Sequence, residues 1–519
     1  MATLAYTPVD EIEKIQAELR AGFNSGKTKS IAYRKYQLLQ LAYLVQDNTK
    51  AFEQALAQDL GRHAQESHFL EINSCLGEIM EAYKNVEKWA KPERPPRSVN
   101  FMFMNPVTYK EPKGVVLVIS PFNYPMWLCF TPLSGAIAAG NAVVIKPSEA
   151  CPAVATLLEE LLPKYIDRSL IRVVNGAVPE TTKLLELPWD HILYTGSGRV
   201  GKIVAAAAAK HLTPVSLELG GKSPVFIDPD TDMQLAARRI LWGKATNAGQ
   251  TCVAPDYVLV PRASQDKFVE ALKTAYTSFY PEATTTSKDM TKMVNQQAFK
   301  RVNGLLQNTK GSVVAGGETD EAQKYIAPTI VKDVKVDDSL MSEEIFGPIL
   351  PIVPVDDLDA GIAYVNAHDH PLALYVFSQD EAYKSKVFGS TQSGSAIANE
   401  TIIGPGVTGL PFGGIGASGN GGYHTGKYGF LMFTHLRASF DTPGWIDKLL
   451  GFRFPPYSQS KLDKIHARLN IKLPARPTGP PSAGAASNDG GRKWFLLAFA
   501  LAAVGALTKM KKLQQFIGA

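Results

Sequence analysis

The chain of 519 residues is poor in cysteine, with only Cys75, Cys129, Cys151 and Cys252, and none of these falls in CxxC or CxxH spacing. That scarcity excludes a disulfide framework and a zinc site, points to a reducing compartment, and implies no metal. An apolar signal core is missing as well. The chain opens MATLAYTPVDEIEKIQ and continues into charged amphipathic segments, so no secretory signal is expected and the chain starts in the cytosol. No internal repeat is visible. Excess positive charge is absent from most of the length: the net charge is +5, but residues 453–519 hold eleven Lys or Arg against two Asp, which leaves residues 1–452 at −4. A slightly acidic body argues against nucleic-acid binding, and a basic tail suits an anionic surface such as phospholipid.

What is present is a large globular chain, 45% hydrophobic and 20% charged, long enough for two or three domains. Apolar runs bounded by glycine or proline alternate with helical patterns. Strands are predicted at 114–120, 141–147, 170–175 and 191–195, with helices over 132–139 and 150–162 and an alanine-rich helix after 201. Fully apolar strands separated by helices predict an α/β fold with a parallel, doubly wound sheet, which binds nucleotides at the C-terminal ends of its strands. The alternation restarts after about residue 219, with strands predicted at 223–227, 257–260, 328–331, 349–353 and 374–377, a second α/β domain.

Two short stretches carry chemistry. LELGGKSP (217–224) and GQTC (249–252) place Glu218 and Cys252 34 residues apart, each beside small-residue backbone. A thiolate can attack an electrophilic carbon, and a carboxylate can activate the water that releases the intermediate. A lone cysteine is more often an inert small hydrophobe. Gly196-Ser197-Gly198-Arg199-Val200-Gly201 matches GxGxxG, and Glu218 stands 22 residues past its first glycine. Glu218 therefore suits either a ribose-binding acid or a catalytic cleft.

The tail reads differently. Residues 474–491 contain four Pro and four Gly, a tether reaching roughly 25 Å as a flexible coil and about 55 Å as polyproline. WFLLAFALAAVGALT (494–508) follows, free of charge and flanked by Arg492, Lys493, Lys509, Lys511 and Lys512. As a helix it measures about 22 Å, against a hydrocarbon core of roughly 30 Å. A membrane anchor that spans with snorkelling lysines, or a helix lying in the interface, are the two readings. Either leaves the body facing the cytosol, at the mitochondrial outer membrane, endoplasmic reticulum or peroxisome. Leu462, Ile465, Leu469, Ile471 and Leu473 among basic residues of 461–473 predict an amphipathic helix.

PFNYP (121–125), IKPSE (145–149), YTGSGRVG (194–201), LELGGKSP, GQTC, EEIFGP (343–348) and LPFGGIGASG (410–419) together resemble, in order and spacing, the motifs of the aldehyde dehydrogenase superfamily, from about residue 10 to 457. VAPDYVL after Cys252, PLALY (371–375), GGYHTGKYGF (421–430) and RFPPYS (453–458) resemble its class 3 branch, and within it the fungal membrane-anchored fatty aldehyde (hexadecenal) dehydrogenases. The resemblance implies a Rossmann-type NAD domain from 1–98 and 111–218, with 411–430 returning to it. It implies a catalytic domain over 219–410, a small β oligomerisation arm from 99–110 and 431–440, a C-terminal extension over 441–473, the linker 474–491 and the anchor 494–508.

It also implies roles. Cys252 is similar to the family's nucleophile, Glu218 to its general base and Asn123 to its oxyanion residue. Read without the family, Asn123 suits an Asx turn before Pro125, and Glu218 an ion pair with Lys222. Lys146 and Glu149 resemble the residues on the adenine-side ribose, although a capping Ser148-Glu149 pair fits the same letters. Gly196, Ser197 and Gly201 resemble the pyrophosphate cradle at a helix N-terminus, or else serve tight strand-to-helix packing. Glu344 and Phe346 resemble the pair at the nicotinamide ribose and ring, or form an ordinary turn before Gly347-Pro348. The cofactor implied is NAD, with NADP possible, since Glu149 disfavours a 2′-phosphate by like-charge repulsion.

Phe122 stands where many relatives carry Trp, and Thr425 interrupts a YHGK-like run. The branch resemblance and the anchor together imply long-chain aldehydes as substrate. Alternating Phe101 and Phe103 predict a strand edge that a partner subunit completes, hence a homodimer. Two rival readings use the same residues: a cysteine acyltransferase or thioester hydrolase without redox chemistry, and a membrane-tethered scaffold without turnover.

Overall fold

The computed structural model describes residues 4–96, 101–282, 289–469 and 472–476. Met1–Asp441 form one compact unit and the residues from Thr442 onward a second.

Two sheets organise the first unit. The smaller runs Gly419–Asn420, Val215–Glu218, His191–Thr195, Val115–Ile119, Ala142–Lys146, Ile171–Val173 in spatial order, six strands, parallel except for the first. All five residues of Val115–Ile119 and of Ala142–Lys146 are buried. That is why these segments read as unbroken apolar runs and not as alternation. In chain order the five parallel strands are arranged 3-2-1-4-5, so the direction of winding reverses between Val115–Ile119 and His191–Thr195. The crevice at their C-terminal ends is where such sheets take ligands. Ser120 to Asn123 leave one side of it, and Gly196 leaves the other.

The larger sheet has seven strands in the order Ser395–Ala398, Ala373–Phe377, Pro224–Ile227, Tyr257–Pro261, Ile349–Val355, Thr329–Lys332, Ser312–Ala315, of which only the last is antiparallel to its neighbour. The chain crosses from the first sheet to the second through Leu219 to Ser223. The strands predicted for these two sheets all appear within one or two residues of their expected bounds. Ser312–Ala315 and Ser395–Ala398 escaped sequence reading because their side chains are exposed or half-buried, which removes the apolar signal.

Val107–Pro112 pairs antiparallel with Thr434–Ser439, from Val107 opposite Ser439 to Pro112 opposite Thr434. The expected strand through Phe101 and Phe103 is a correction: Met102–Met104 is a single 3₁₀ turn, closed by Asn105 at φ 45°. A residue held in the left-handed region cannot continue a strand, so pairing begins only at Val107.

In the second unit, Gln459–Leu469 is helical and overlaps the first part of the segment 461–473 expected to be amphipathic. Among the described residues no helix is long and apolar enough to cross a membrane. The anchor at 494–508 and all of the linker beyond residue 476 lie outside the described residues.

Candidate active site

Cys252 follows a turn with an unusual backbone. Asn247, Ala248 and Gly249 have φ of 55°, 52° and 69° in succession. Two non-glycine residues held there cost on the order of 1–3 kcal/mol each and persist only where surrounding bonds over-determine them. Glycine is required at 249: a Cβ would sit 2.2 Å from the Gly347 carbonyl oxygen, so this turn lies directly against the Phe346-Gly347-Pro348 loop.

The surrounding bonds come from the segment after Ile119. The Tyr124 hydroxyl meets Thr251 Oγ1 at 2.8 Å. The Asn123 carbonyl accepts from Asn247 Nδ2 at 2.8 Å and from Arg62 Nη2 at 2.7 Å. PFNYP is therefore clasped to GQTC, and Asn123 is buried at that clasp. Phe122 packs edge-on against Phe346, with ring centroids 5.9 Å apart. A phenylalanine thus keeps the apolar contact where a tryptophan was expected.

Glu218 ends its strand opposite Gly419 and is buried. Neither carboxyl oxygen completes a hydrogen bond. The Gly414 amide bears on it and eases the charge, but burial dominates and holds the carboxyl well above its usual range. The LPFGGIGASG loop lies against it, since a Cβ on Gly413 would come within 3.0 Å of Glu218 Oε1. The expected alternative, an ion pair between Glu218 and Lys222, is corrected: Lys222 Nζ lies 2.5 Å from Asp256 Oδ2. Glu344 rests on Gly220-Gly221, takes the Gly221 amide, and is pushed up to about 8 by burial and by neighbouring Asp256.

Cys252 is only partly enclosed, yet its thiol is pushed up to about 12, chiefly by burial and then by the charges of Glu344 and Glu218. The charges of both carboxyls thus bear on the thiol through poorly solvated surroundings. Beside it opens a cavity of about 320 Å³, lined by Cys252, Tyr124, Trp127, Phe412, Ile402 and Val407 among others. Such a lining binds hydrocarbon and offers few polar partners.

The cofactor-side residues stand at the ends of the first sheet. Lys146, last in its strand, contacts Glu149 Oε2 at 2.6 Å. Ser148 Oγ accepts from the Ala150 amide at 3.3 Å in the turn before the helix, but the helix Pro152–Tyr165 has Cys151 at its N-cap and no side-chain cap bond, so the capping alternative is corrected and Glu149 turns to the lysine. Gly196 follows Thr195, and Ser197 opens the helix Gly198–Ala209 with no side-chain cap bond. A Cβ on Gly196 would strike the Tyr194 hydroxyl at 2.3 Å, one on Gly201 would strike Leu219 at 2.9 Å, and one on Gly198 would meet open space. Packing thus accounts for Gly196 and Gly201. The open approach to the helix N-terminus suits a pyrophosphate, and a donor paired with an acceptor suits a ribose diol. These residues fit a dinucleotide, in which Lys146 and Glu149 would hold the ribose and the Ser197 and Gly198 amides the phosphates, the Gly196 amide already donating to the Glu218 carbonyl at 3.0 Å.

Arg62 and Glu71 stand in none of the motifs, and Tyr124 and Asp256, though inside PFNYP and VAPDYVL, carry no role from sequence, because each acts through contacts with segments distant in the chain. Thr425, whose departure had no reading, is buried and bonds the Leu410 carbonyl at 3.2 Å, fixing the loop that carries Phe412.

Residues 1–439 match the aldehyde dehydrogenase family. The dimeric NADP-preferring aldehyde dehydrogenase of Rattus norvegicus is 46% identical over 437 residues, 84% of this chain and 96% of that protein. Aldehyde dehydrogenase family 3 member A2 of Rattus norvegicus is 45% identical over 451 residues, 87% and 93% of the two chains. Among solved structures, the substrate-bound state of Staphylococcus aureus AldH gives a TM-score of 0.85 at 40% identity, covering 88% of this chain and 99% of that one. The Mycobacterium tuberculosis aldehyde dehydrogenase complexed with NAD+ gives 0.76 at 26% identity, covering 84% and 91%. Because these matches run through every segment that builds the cleft, the chain belongs to the aldehyde dehydrogenase family, whose enzymes use NAD or NADP.

Proposed function

We propose that this enzyme oxidises long-chain aldehydes to carboxylic acids with NAD as preferred cofactor. The observation that carries the reading is the apolar cavity of about 320 Å³ that Cys252 itself lines, which lets a hydrocarbon tail leave water while its carbonyl meets the thiol. Each methylene so buried contributes roughly 0.8 kcal/mol.

In this reading the Cys252 sulfur, as thiolate, forms a bond to the aldehyde carbon, and the carbonyl electron pair moves onto oxygen. The Asn123 side-chain amide and the Cys252 backbone N–H donate to that oxygen. NAD, when bound, supplies the acceptor for the hydride that leaves the same carbon. Cys252 then holds the acyl group as a thioester. Glu218 takes a proton from water, the water oxygen adds to the acyl carbon, and sulfur leaves with its electron pair. A carboxyl without a partner is free for that work.

The body works on the cytosolic side of an organelle membrane, held by the tether 474–491 and the apolar segment 494–508. Exposed Tyr109, Leu436 and Phe440 on the paired strands and beyond support an arm that a second copy covers, giving a homodimer. Sedimentation with membranes of the full chain, but not of a chain ending at residue 491, tests the anchor. The rate of NADH formation against aldehydes of two to eighteen carbons tests the substrate class. A rate that does not rise with length would reject it.

A further inference from the structure

Arg62 is almost wholly buried, with 1% of its surface exposed, although it belongs to none of the family motifs. It follows Gly61, whose φ of 67° ends the helix Thr49–Leu60 and turns the chain inward. Its Nη1 pairs with Glu71, which is fully buried. Its Nη2 donates to the Asn123 carbonyl and to Asn247 Oδ1, each at 2.7 Å. Its guanidinium carbon lies 5.1 Å from the centre of the Tyr124 ring. The second oxygen of Glu71 accepts the amides of Met126 and Trp127, both at 2.9 Å. Asn247 in turn donates to the Asn123 carbonyl at 2.8 Å and to the Gln250 carbonyl at 3.0 Å.

Glu66 Oε1 lies 3.6 Å from Arg62 Nε and accepts the Asn247 amide at 2.7 Å, so Arg62 and its two acids grip both segments that carry the chemistry, residues 123–127 on one side and 247–250 on the other. Neither segment has a strand ladder to fix it where the grip occurs. A guanidinium has the planar fork to serve Glu71, Asn123 and Asn247 together, and an ammonium does not.

We infer that Arg62 is a positioning residue for the oxidation, setting the Asn123 amide against the Cys252 turn through this fork. The inference rests on the assignment of Asn123 as oxyanion donor. A displacement of about 1 Å at such a donor is enough to cost on the order of 10²-fold in rate.

The test is the pre-steady-state burst of NADH from octanal in the full-length holoenzyme. Arg62→Lys keeps the charge opposite Glu71 and loses the fork; its burst rate is expected to fall about 10- to 100-fold, with NAD affinity and octanal KM within about threefold of wild type. Asn123→Ala alone is expected to lose roughly 10²- to 10³-fold. Combining the two is expected to be no slower than Asn123→Ala, because Arg62 acts through that amide. If Arg62→Lys does not fold, Arg62→Met with Glu66→Gln and Glu71→Gln removes the cation together with both acids it faces, so that neither carboxylate is left unpaired, and is expected to show the same loss and the same non-additivity. A slowed Asn123→Ala beside an undiminished or additive Arg62 variant overturns the inference alone. An Asn123→Ala enzyme with a normal burst overturns the oxyanion assignment, and the inference with it.

Discussion

Lys222 Nζ lies 2.5 Å from Asp256 Oδ2 and also donates to the carbonyls of Leu340 and Glu343, at 3.0 and 2.8 Å. Asp256 passes the restraint on by accepting the Ile345 amide at 3.1 Å. The lysine four residues past Glu218 therefore neutralises a different acid, and the EEIFGP loop is what it steadies. Replacing it as Lys222→Met leaves Asp256 with Lys244, at 3.5 Å, as its remaining cation. Since the Lys222 side chain is 19% exposed, the loss in stability is expected near 2 kcal/mol, below the range for a fully buried pair. Denaturant unfolding measures it. The KM for NAD is expected to rise severalfold while a Glu218-dependent release step persists; an unchanged KM would separate this loop from the cofactor.

Because Glu218 has no such partner, its carboxyl is held well above the usual range by burial. A general base works only when deprotonated, so hydrolysis of the thioester is expected to accelerate as pH rises through that elevated value. Glu218→Gln removes the titration: the NADH burst survives, steady-state turnover drops by about 10²-fold or more, and its residual rate no longer follows pH in this limb. Stopped-flow traces at several pH values read both effects, and an undiminished steady state would reject the role.

The thiol gives a separate readout. Its elevation to about 12 comes first from burial and then from Glu344 and Glu218. Glu344, itself pushed up to about 8, is charged above that pH and opposes the thiolate there. Glu344→Gln removes the opposing charge, which lowers the thiol pKa and increases the thiolate at pH 9 to 10. Alkylation of Cys252 by iodoacetamide is therefore expected to be severalfold faster in the variant than in wild type at pH 9.5, and nearly equal at pH 7. A mass-spectrometric time course of the labelled peptide decides it.

The legible parts of this protein are those where one residue type has one physical use. Val115–Ile119 and Ala142–Lys146 were readable because a strand covered on both faces must be apolar throughout. Cys252, Glu218 and Asn123 stand out as candidates because their neighbours form motifs. The clasp between the segments of Asn123 and Cys252 is not legible in this way: Arg62 lies 61 residues from Asn123 and 185 from Asn247, and nothing local distinguishes a buried arginine from a surface one. The alternative of a Glu218–Lys222 pair fails because the segment crosses between two sheets, where closeness in sequence does not bring the two side chains together, and Lys222 meets Asp256. Phe101 and Phe103 alternate as a strand should, but Asn105 in the left-handed region stops one there.

Val407 stands at the rim of the cavity, 45% exposed while lining it. A carboxylate there leaves the thiol, Glu218 and Asn123 untouched but places charge beside any hydrocarbon that passes the rim. A two-carbon aldehyde has no tail to reach it. Hexadecanal would have to lay methylenes against a hydrated charge and forfeit several increments of roughly 0.8 kcal/mol each. Val407→Glu is therefore expected to lower kcat/KM for hexadecanal by about 10- to 100-fold while that for acetaldehyde changes by less than about threefold. Steady-state rates with the two substrates measure the split, and an equal fall for both would mean that the tail binds somewhere other than this cavity.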